Sequence, residues 1–431
     1  MELAVLGIFT TALLLCIVLN YSILYALAFG YCLFFTYGLI KKYKITEILG
    51  MSWKGVKTVK NILITFIFIG MITAVWRDCG TIPFIIFHSA KIIAPSVFIF
   101  ITFLLCCLIS ILTGTAFGSA ATLGIICMTI SNAMGINPVF TGGAILSGIF
   151  FGDRGSPMST SAILVSELTG TDIYVNVKNM MRTAMVPFIV SCAIYLVLGI
   201  TLKNTDVSTE IWNVFSNNFN LKLIVVLPAL IIIVLCAFRV KVKKAMMVSI
   251  LAASIISMVV QHTSFPGLLK LLLFGFKPQD DQLAAMMTGG GITSMFRVMA
   301  IICLSSCYAG IFEGTGLLNG LKSRVVWMSS KFTAYGSILV TSVLTCMIAC
   351  NQTLGIILTH YLCKDIMKNK EQLAVNMENT VVVVAALIPW SIACAVPLTA
   401  AGAPIQSILA AFYLFLIPLW NLLGQIRFHL K

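Results

Sequence analysis

An aspartate followed by an arginine, set inside apolar sequence, is the feature of this chain that most clearly asks for chemistry. The pair stands in Phe151-Gly-Asp-Arg-Gly-Ser-Pro-Met-Ser-Thr-Ser161. In hydrocarbon Asp153 and Arg154 would each cost roughly 2.5–3.5 kcal/mol. Their presence there implies partners or a wet cavity. The apolar runs on either side, only ~15 residues each, are too short for two comfortable spans. They predict a re-entrant hairpin whose tip is the polar motif. Gly152 and Gly155 open backbone conformations closed to other residues. Pro157 is suited to start the next half-helix, with its N-terminal amides facing the site. Ser156, Ser159 and Thr160 add hydroxyls. A carboxylate so placed can exchange a small cation for a proton, with neutral oxygens completing its shell.

Two other tracts carry polar groups at the same kind of place. Thr113-Gly-Thr-Ala-Phe-Gly-Ser-Ala-Ala-Thr122, with Gly118 and Thr122, is rich in small and hydroxyl residues; Cys346-Met-Ile-Ala-Cys-Asn-Gln-Thr353 is its partner in the second half. Such stretches can leave helical geometry, freeing amides and carbonyls that protein, water or an ion must satisfy. Asn351 and Gln352 supply amide oxygens, the hard neutral ligands a small cation accepts, which puts a candidate cation site near Asp153 and Asn351. In Asn376-Met-Glu-Asn-Thr380, Glu378 is a second proton or cation carboxylate, with Asn379 and Thr380 beside it at the mouth of another hairpin. Glu313, in Glu-Gly-Thr-Gly, and Glu167, at the end of the first hairpin, read as helix-end or gating residues before ligands. Asp172 reads as a helix N-cap.

The elements that must position these residues are set by composition. Of 431 residues 60% are hydrophobic and 10% charged, with mean hydropathy +1.05. Soluble domains carry roughly 25% charged residues. At ~20 residues per span there is apolar sequence for about ten to twelve crossings. A soluble enzyme, a nucleic-acid binder and a disordered scaffold are excluded. The net charge of +14 comes from Lys and Arg in short segments between apolar runs, as the positive-inside rule expects. The fourteen cysteines contain no C-x-x-C and mostly sit in apolar runs, where they pack as small hydrophobes rather than hold a metal. No cofactor is implied.

Apolar segments fall near 3–20, 21–40, 62–76, 97–113, 184–202, 222–238, 245–260, 296–312, 336–350 and 403–424. The segment 3–20 reads as a retained helix and not a signal peptide. Lys41 to Lys60 and Arg239 to Lys244 fall inside, which predicts a multi-pass protein of the cell membrane with both termini cytoplasmic. The cluster Lys364, Lys368 and Lys370 lands outside, against the rule. The shorter segments 81–95 and 172–183 are expected to lie along the interface as linking helices.

The halves repeat. Thr122-Leu-Gly-Ile-Ile126 recurs as Thr353-Leu-Gly-Ile-Ile357, an offset of 231, and the spacing Gly55 to Gly80 recurs between Gly291 and Gly316, an offset of 236. Five crossings separate Gly55 from Gly291, so the copies must be oppositely inserted. The expected fold is all-α and polytopic, with two inverted repeats of about five spans each. Residues 1–205 carry a broken helix near 113–122 and a hairpin at 136–168. Residues 206–431 carry a broken helix near 346–353 and a hairpin at 374–398, with the boundary in 203–221. Inverted repeats with interrupted helices point to a secondary transporter with a midplane site.

Gly-Asp-Arg-Gly-Ser-Pro-Met-Ser (152–159), the tract Gly118-Ser-Ala-Ala-Thr-Leu-Gly124, Glu313-Gly-Thr-Gly316 and Leu387-Ile-Pro-Trp390 resemble the NhaC-type Na+/H+ antiporters over most of the chain. The resemblance implies cation–proton exchange by alternating access or, in some relatives, exchange of small organic acids or amino acids. Its partners would be Na+ and H+, or such a substrate, in the lipid bilayer, without nucleic acid; a homodimer is compatible with it. Three positions depart from the family pattern. Thr160 stands where Asp is common, Asn351 where Asp is common in Gly-Asp-Gln, and Asn379 where Asp is usual after Glu. The motif skeleton is kept while its charge is thinned, which suits an anionic or zwitterionic substrate as the alternative.

Overall fold

A chain this apolar must satisfy its amides internally, and the computed structural model does so with helices. It describes residues 2–19, 21–92, 94–201, 218–238, 240, 242–278, 284, 287–317, 333–367 and 369–429. Among these, one isolated bridge, Phe276 to Gly289, is the only β pairing. In chain order the helices used below are α1 Glu2–Val18, α2 Ile23–Ile40, α3 Ile45–Asp78, α4 Thr81–Ile92, α5 Pro95–Thr113, α6 Ala116–Ala133, α7 Pro138–Gly155, α8 Thr160–Thr169 and α9 Ile173–Thr201. They continue as α10 Leu227–Ala237, α11 Val242–Val260, α12 Phe265–Phe274, α13 Phe296–Thr315, α14 Ala334–Ala349, α15 Gln352–Cys363, α16 Lys370–Glu378, α17 Val381–Val384, α18 Ile392–Ala401 and α19 Phe412–His429. Five helices among the described residues are long and apolar enough to cross a bilayer, and shorter apolar ones accompany them. The architecture is that of a polytopic membrane protein.

Two expected segments differ. The span at 62–76 is the second half of the 34-residue α3, which also carries Lys54, Lys57 and Lys60. The reason is phase: Ser52, Gly55, Val59 and Phe66 are buried while Trp53, Lys54, Lys57 and Lys60 are exposed, so an amphipathic helix runs straight through the basic cluster. Likewise 172–183 is no separate linker but the start of the 29-residue α9, with Lys178 and Arg182 exposed on it. Asp172 caps α9, accepting from Tyr174 N at 2.8 Å. The segment 81–95 does form a separate helix, α4. Most of the boundary at 203–221, and Asp280, Asp281, Lys322 and Arg324, lie outside the described residues.

The helices pack in two groups. One surrounds α3, against which α2, α11, α12 and α13 lie directly or through one another; the other surrounds α7, with α5, α9, α18 and the 3-10 turn Ile405–Ala410. Glycines set the closest approaches. A Cβ on Gly55 would stand 1.9 Å from Ser306 O, and one on Gly310 would stand 2.1 Å from Met51 O, so α3 and α13 cross backbone to backbone. Gly55 is therefore a packing residue within a helix, unlike Gly291, whose φ is 80°. On α7, Gly148 and Gly152 face α5; a Cβ at Gly152 would lie 2.2 Å from the Ser110 carbonyl carbon. This is the small-residue contact by which membrane helices meet. Gly152→Val is expected to cost at least about 1–3 kcal/mol by overpacking, measured as a lower melting temperature in detergent. Gly7→Ala, with nothing within 4 Å of the new Cβ, should leave melting within the error of the wild type.

Candidate functional site

Two helix breaks are built from the same two-residue device. Helix α5 ends on Gly114 at φ 63°, a left-handed C-cap, and Thr115 then turns extended (φ −148°, ψ 126°) and accepts from Gly118 N. Helix α14 ends on Cys350 at φ 53°, and Asn351 turns extended (φ −143°, ψ 130°) and accepts from Thr353 N at 2.9 Å. Glycine suits the first of these positions; cysteine at the second is strained. The breaks stand 236 positions apart, the register of the glycine pairs and not that of the repeated Thr-Leu-Gly-Ile-Ile. Thr122 therefore lies within α6, its hydroxyl bonded to Gly118 O at 2.8 Å along a π-helical stretch, whereas Thr353 opens α15 and is exposed.

Each break is pressed against a third interruption. Gly114 abuts Met158 in the turn between α7 and α8. Cys350 O accepts from Ile392 N at 2.9 Å, and Met347 O from Trp390 Nε1 at 2.9 Å, at the turn before α18. The two turns share a plan: Pro157 and Pro389 lie in them, and Ser159 and Ser391 cap the helices that follow. Pro157 thus sits in the turn, and Ser159, two residues later, starts the half-helix. Across the second turn the chain bends by 58° between Lys370–Leu387 and Ile392–Ala401.

The Asp153 carboxylate lies where these interruptions meet, at 4% exposure. Asp153 and Arg154 occupy the last turn of α7 rather than a loop, because the helix runs on to Gly155. Oδ1 accepts from Ser159 Oγ at 3.3 Å, Oδ2 from Ser161 Oγ at 3.1 Å and from Gln352 Nε2 at 3.1 Å, and the Ala116 amide donates as well. Gln352 Nε2 also donates to Val382 O at 3.2 Å. With acceptors on both sides, the nitrogen of that amide is the atom that must face them. Groups from the α5–α6 break, the α7–α8 turn and the α14–α15 break thus converge on one carboxylate, and Gln352 ties it to α17. Gln352→Ala removes the only one of these contacts made by a side chain from the second half. It is expected to destabilise the fold by about 1.5–3 kcal/mol, the worth of one charge-assisted hydrogen bond, read as a lower melting temperature in detergent.

Arg154, fully buried, does not bond to its neighbour. Nε donates to Asn379 Oδ1 at 3.0 Å, Nη1 to Tyr413 OH at 3.2 Å, and Nη2 to Met180 O at 2.9 Å, Thr183 Oγ1 at 3.0 Å and Asn379 Oδ1. Every one of these acceptors is neutral. Glu378 ends α16 at 1% exposure, buried rather than at a hairpin mouth, and neither of its oxygens has a hydrogen-bond partner. It lies within electrostatic range of Arg154 and Asp153.

The remaining candidates are placed as follows. Ser156 donates to Ile111 O at 2.8 Å, clamping the turn to α5. Thr380 is bonded to Asn376 O at 2.7 Å and accepts from Ser342. Asn351 spends its oxygen on the α15 cap, so Gln352 is the residue that reaches Asp153. A Cβ on Gly155 would meet only the flexible end of Met181. Thr160 and Glu167 are exposed on α8. Glu313 lies in the last turn of α13, its side chain outside the described residues. Ser161, Thr183, Met180 and Tyr413 had not been expected. Ser161 alone carried a sequence signal, since one residue past the first turn residue of α8 returns toward the Ser159 cap.

Buried charges gathered at broken helices of a multi-pass protein define a secondary transporter. The chain's relatives agree, and all those compared are antiporters. It is 25% identical over 407 residues to the malate-2H(+)/Na(+)-lactate antiporter of Bacillus subtilis, covering 90% of this chain and 85% of that one. It is 25% identical to the Na(+)/H(+) antiporter NhaC of Alkalihalophilus pseudofirmus (82% and 79% covered) and to the arginine/ornithine antiporter ArcD of Halobacterium salinarum (84% and 78%). The family model of the Na+/H+ antiporters matches residues 2–166 and 148–422. The chain belongs to that family, of the NhaC type.

Proposed function

We propose that this antiporter exchanges Na+ for H+ at the buried site formed by Asp153 and Glu378. The observation that carries the reading is the convergence of interrupted helices on the Asp153 carboxylate, with Ser159, Ser161 and Gln352 at 3.1–3.3 Å. A cation and a proton competing for buried negative charge give obligatory exchange, since either neutralises the site and neither can join the other. The hydroxyls of Ser159 and Ser161, both bonded to Asp153, supply hard oxygens beside the carboxylate. The matching breaks at Gly114 and Cys350 support two inverted repeats, 1–205 and 206–431. The helices around α7 would then move against those around α3 to alternate access. The basic clusters support cytoplasmic termini in the cell membrane.

One observation favours a second reading. A guanidinium held only by neutral acceptors suits a carboxylate substrate, and relatives are named for malate, lactate, arginine and ornithine. Purified protein in vesicles is expected to move protons outward against an inward sodium gradient, and Na+ or Li+ should raise its melting temperature. Stabilisation by organic acids or amino acids with none by sodium would transfer the assignment to the second reading.

A further inference from the structure

A cysteine at a left-handed helix end needs a reason. Cys350 holds φ 53°, a conformation that glycine adopts without cost and a residue with a side chain does not. The matching break uses glycine, Gly114, where Met158 leaves no space for a Cβ. At Cys350 a side chain is present, strained and fully buried. Strain of this kind persists only where the surroundings impose it. The thiol shows what they impose: its sulfur accepts from Tyr308 OH at 2.8 Å and donates to Met347 O at 3.4 Å.

Tyr308 is held from the other side. It lies on α13, fully buried, and its ring packs on Phe9 of α1, Phe34 of α2 and Phe312, with centroids 5.3–5.5 Å away. Helix α13 in turn meets α3 backbone to backbone at Gly310 and Gly55. The hydroxyl is thus delivered by the helices around α3 to the break between α14 and α15. Beyond the break the contacts continue in short steps. Met347 O also takes Trp390 Nε1, and Cys350 O takes Ile392 N. Gln352, two residues past Cys350, donates to Asp153 and to Val382 O.

We infer that Tyr308 is a positioning residue for the transport site: through the Cys350 thiol it fixes the α14–α15 break so that Gln352 reaches Asp153. The inference rests on the reading of Asp153 as part of that site, and not on which species is carried there. It accounts for the cysteine, because glycine at this position would relax the backbone and release the Tyr308 hydroxyl. It also gives the helices around α3 a hold on the site, although the carboxylate itself belongs to α7.

The test uses the full chain, in vesicles with an internal pH dye for exchange and in detergent for melting. Tyr308→Phe keeps the ring and removes the donor. It should raise the KM for sodium about fivefold, within the worth of one hydrogen bond. The maximal rate should stay near the wild type, the pattern of lost binding and not of a slowed transport step. Cys350→Ala and Cys350→Gly both remove the thiol, but only glycine relieves the backbone. The glycine variant should melt above the alanine variant, while both raise the KM as Tyr308→Phe does. Cys350→Ser, whose hydroxyl still accepts and donates, should restore the KM that these two lose. A wild-type KM in Tyr308→Phe, or a KM that follows melting across the Cys350 variants, overturns the inference. In sodium-free detergent, Tyr308→Phe and Gln352→Ala together should lower the melting temperature by less than the sum of their separate effects, because the first acts through the second. Additive losses overturn the inference. Wild-type vesicles in which a sodium gradient moves no protons would remove the Na+/H+ reading alone. The melting cycle then still decides, non-additive losses supporting Tyr308 as a positioning residue and additive ones overturning it.

Discussion

Asp153→Asn is expected to reduce sodium-driven proton movement to the level of protein-free vesicles, a loss of at least about a hundredfold. The magnitude follows from removing one member of a buried set of charges, which costs about 3–5 kcal/mol where the partner stays behind. Asparagine keeps the volume of the side chain but presents an NH2 group to donors. Gln352 Nε2, Ser161 and the Ala116 amide now face a group that can accept on one atom only. Glu378, moreover, keeps the attraction of Arg154 and loses the repulsion of Asp153, so the one remaining carboxylate is held to the guanidinium. Both effects lower exchange. Thr160→Ala provides the contrast. Thr160 follows the Ser159 cap and is exposed, so exchange and melting should match the wild type. Parallel vesicle assays of the two variants check this, and exchange surviving unchanged in Asp153→Asn would refute the site.

What the sequence makes legible here is the cost of its exceptions. Asp153, Arg154 and Glu378 announce themselves because hydrocarbon tolerates charges poorly, and the polar tracts near 113 and 350 because helices do not need them. Which partner each charge takes is decided by packing between distant segments, and no local pattern records it. Thr183, Met180 and Tyr413 reach Arg154 from α9 and α19, 26 to 259 positions away. The choice of Ser161 over Thr160, and of Gln352 over Asn351, turns on where a helix begins. Once Ser159 and Asn351 cap their helices, with Ser159 still donating its hydroxyl to Asp153, helical phase swings the residue one or two places on toward the carboxylate. The left-handed Cys350 was hidden for another reason: cysteine rarely adopts that conformation, so nothing about its type marks a helix end. The two registers expected for a repeat show the same limit. The match Thr-Leu-Gly-Ile-Ile puts Thr122 inside α6 but Thr353 at the start of α15, whereas Gly80 and Gly316 both follow helix ends, at φ 85° and 63°.

Removal of the buried cation should be the most damaging change to the fold. Arg154→Met leaves Asn379 Oδ1, Met180 O, Thr183 Oγ1 and Tyr413 OH without their shared donor and buried Glu378 without the positive charge that acts on it. Truncating one member of such a network costs about 3–5 kcal/mol, enough to depress the melting temperature in detergent sharply and to reduce the yield of folded protein. Arg154→Lys separates the two contributions. Lysine retains the charge but offers three donors from one point, where the guanidinium spreads five around a plane. The acceptors of α9 and α19 and of Asn379, which caps α16, surround that plane, so an ammonium can satisfy at most part of them. The lysine variant should therefore fold with a lower melting temperature and keep sodium-driven exchange at roughly a tenth of the wild-type rate, about 1.4 kcal/mol of lost positioning. If Arg154 instead binds a carboxylate substrate, Arg154→Lys should weaken the KM for that substrate far more than it slows turnover, because bidentate recognition is lost while the structural charge remains. Melting curves and the split between KM and kcat in the same preparation decide between these roles. A methionine variant that melts and exchanges like the wild type would show that Arg154 holds neither the fold nor the ions.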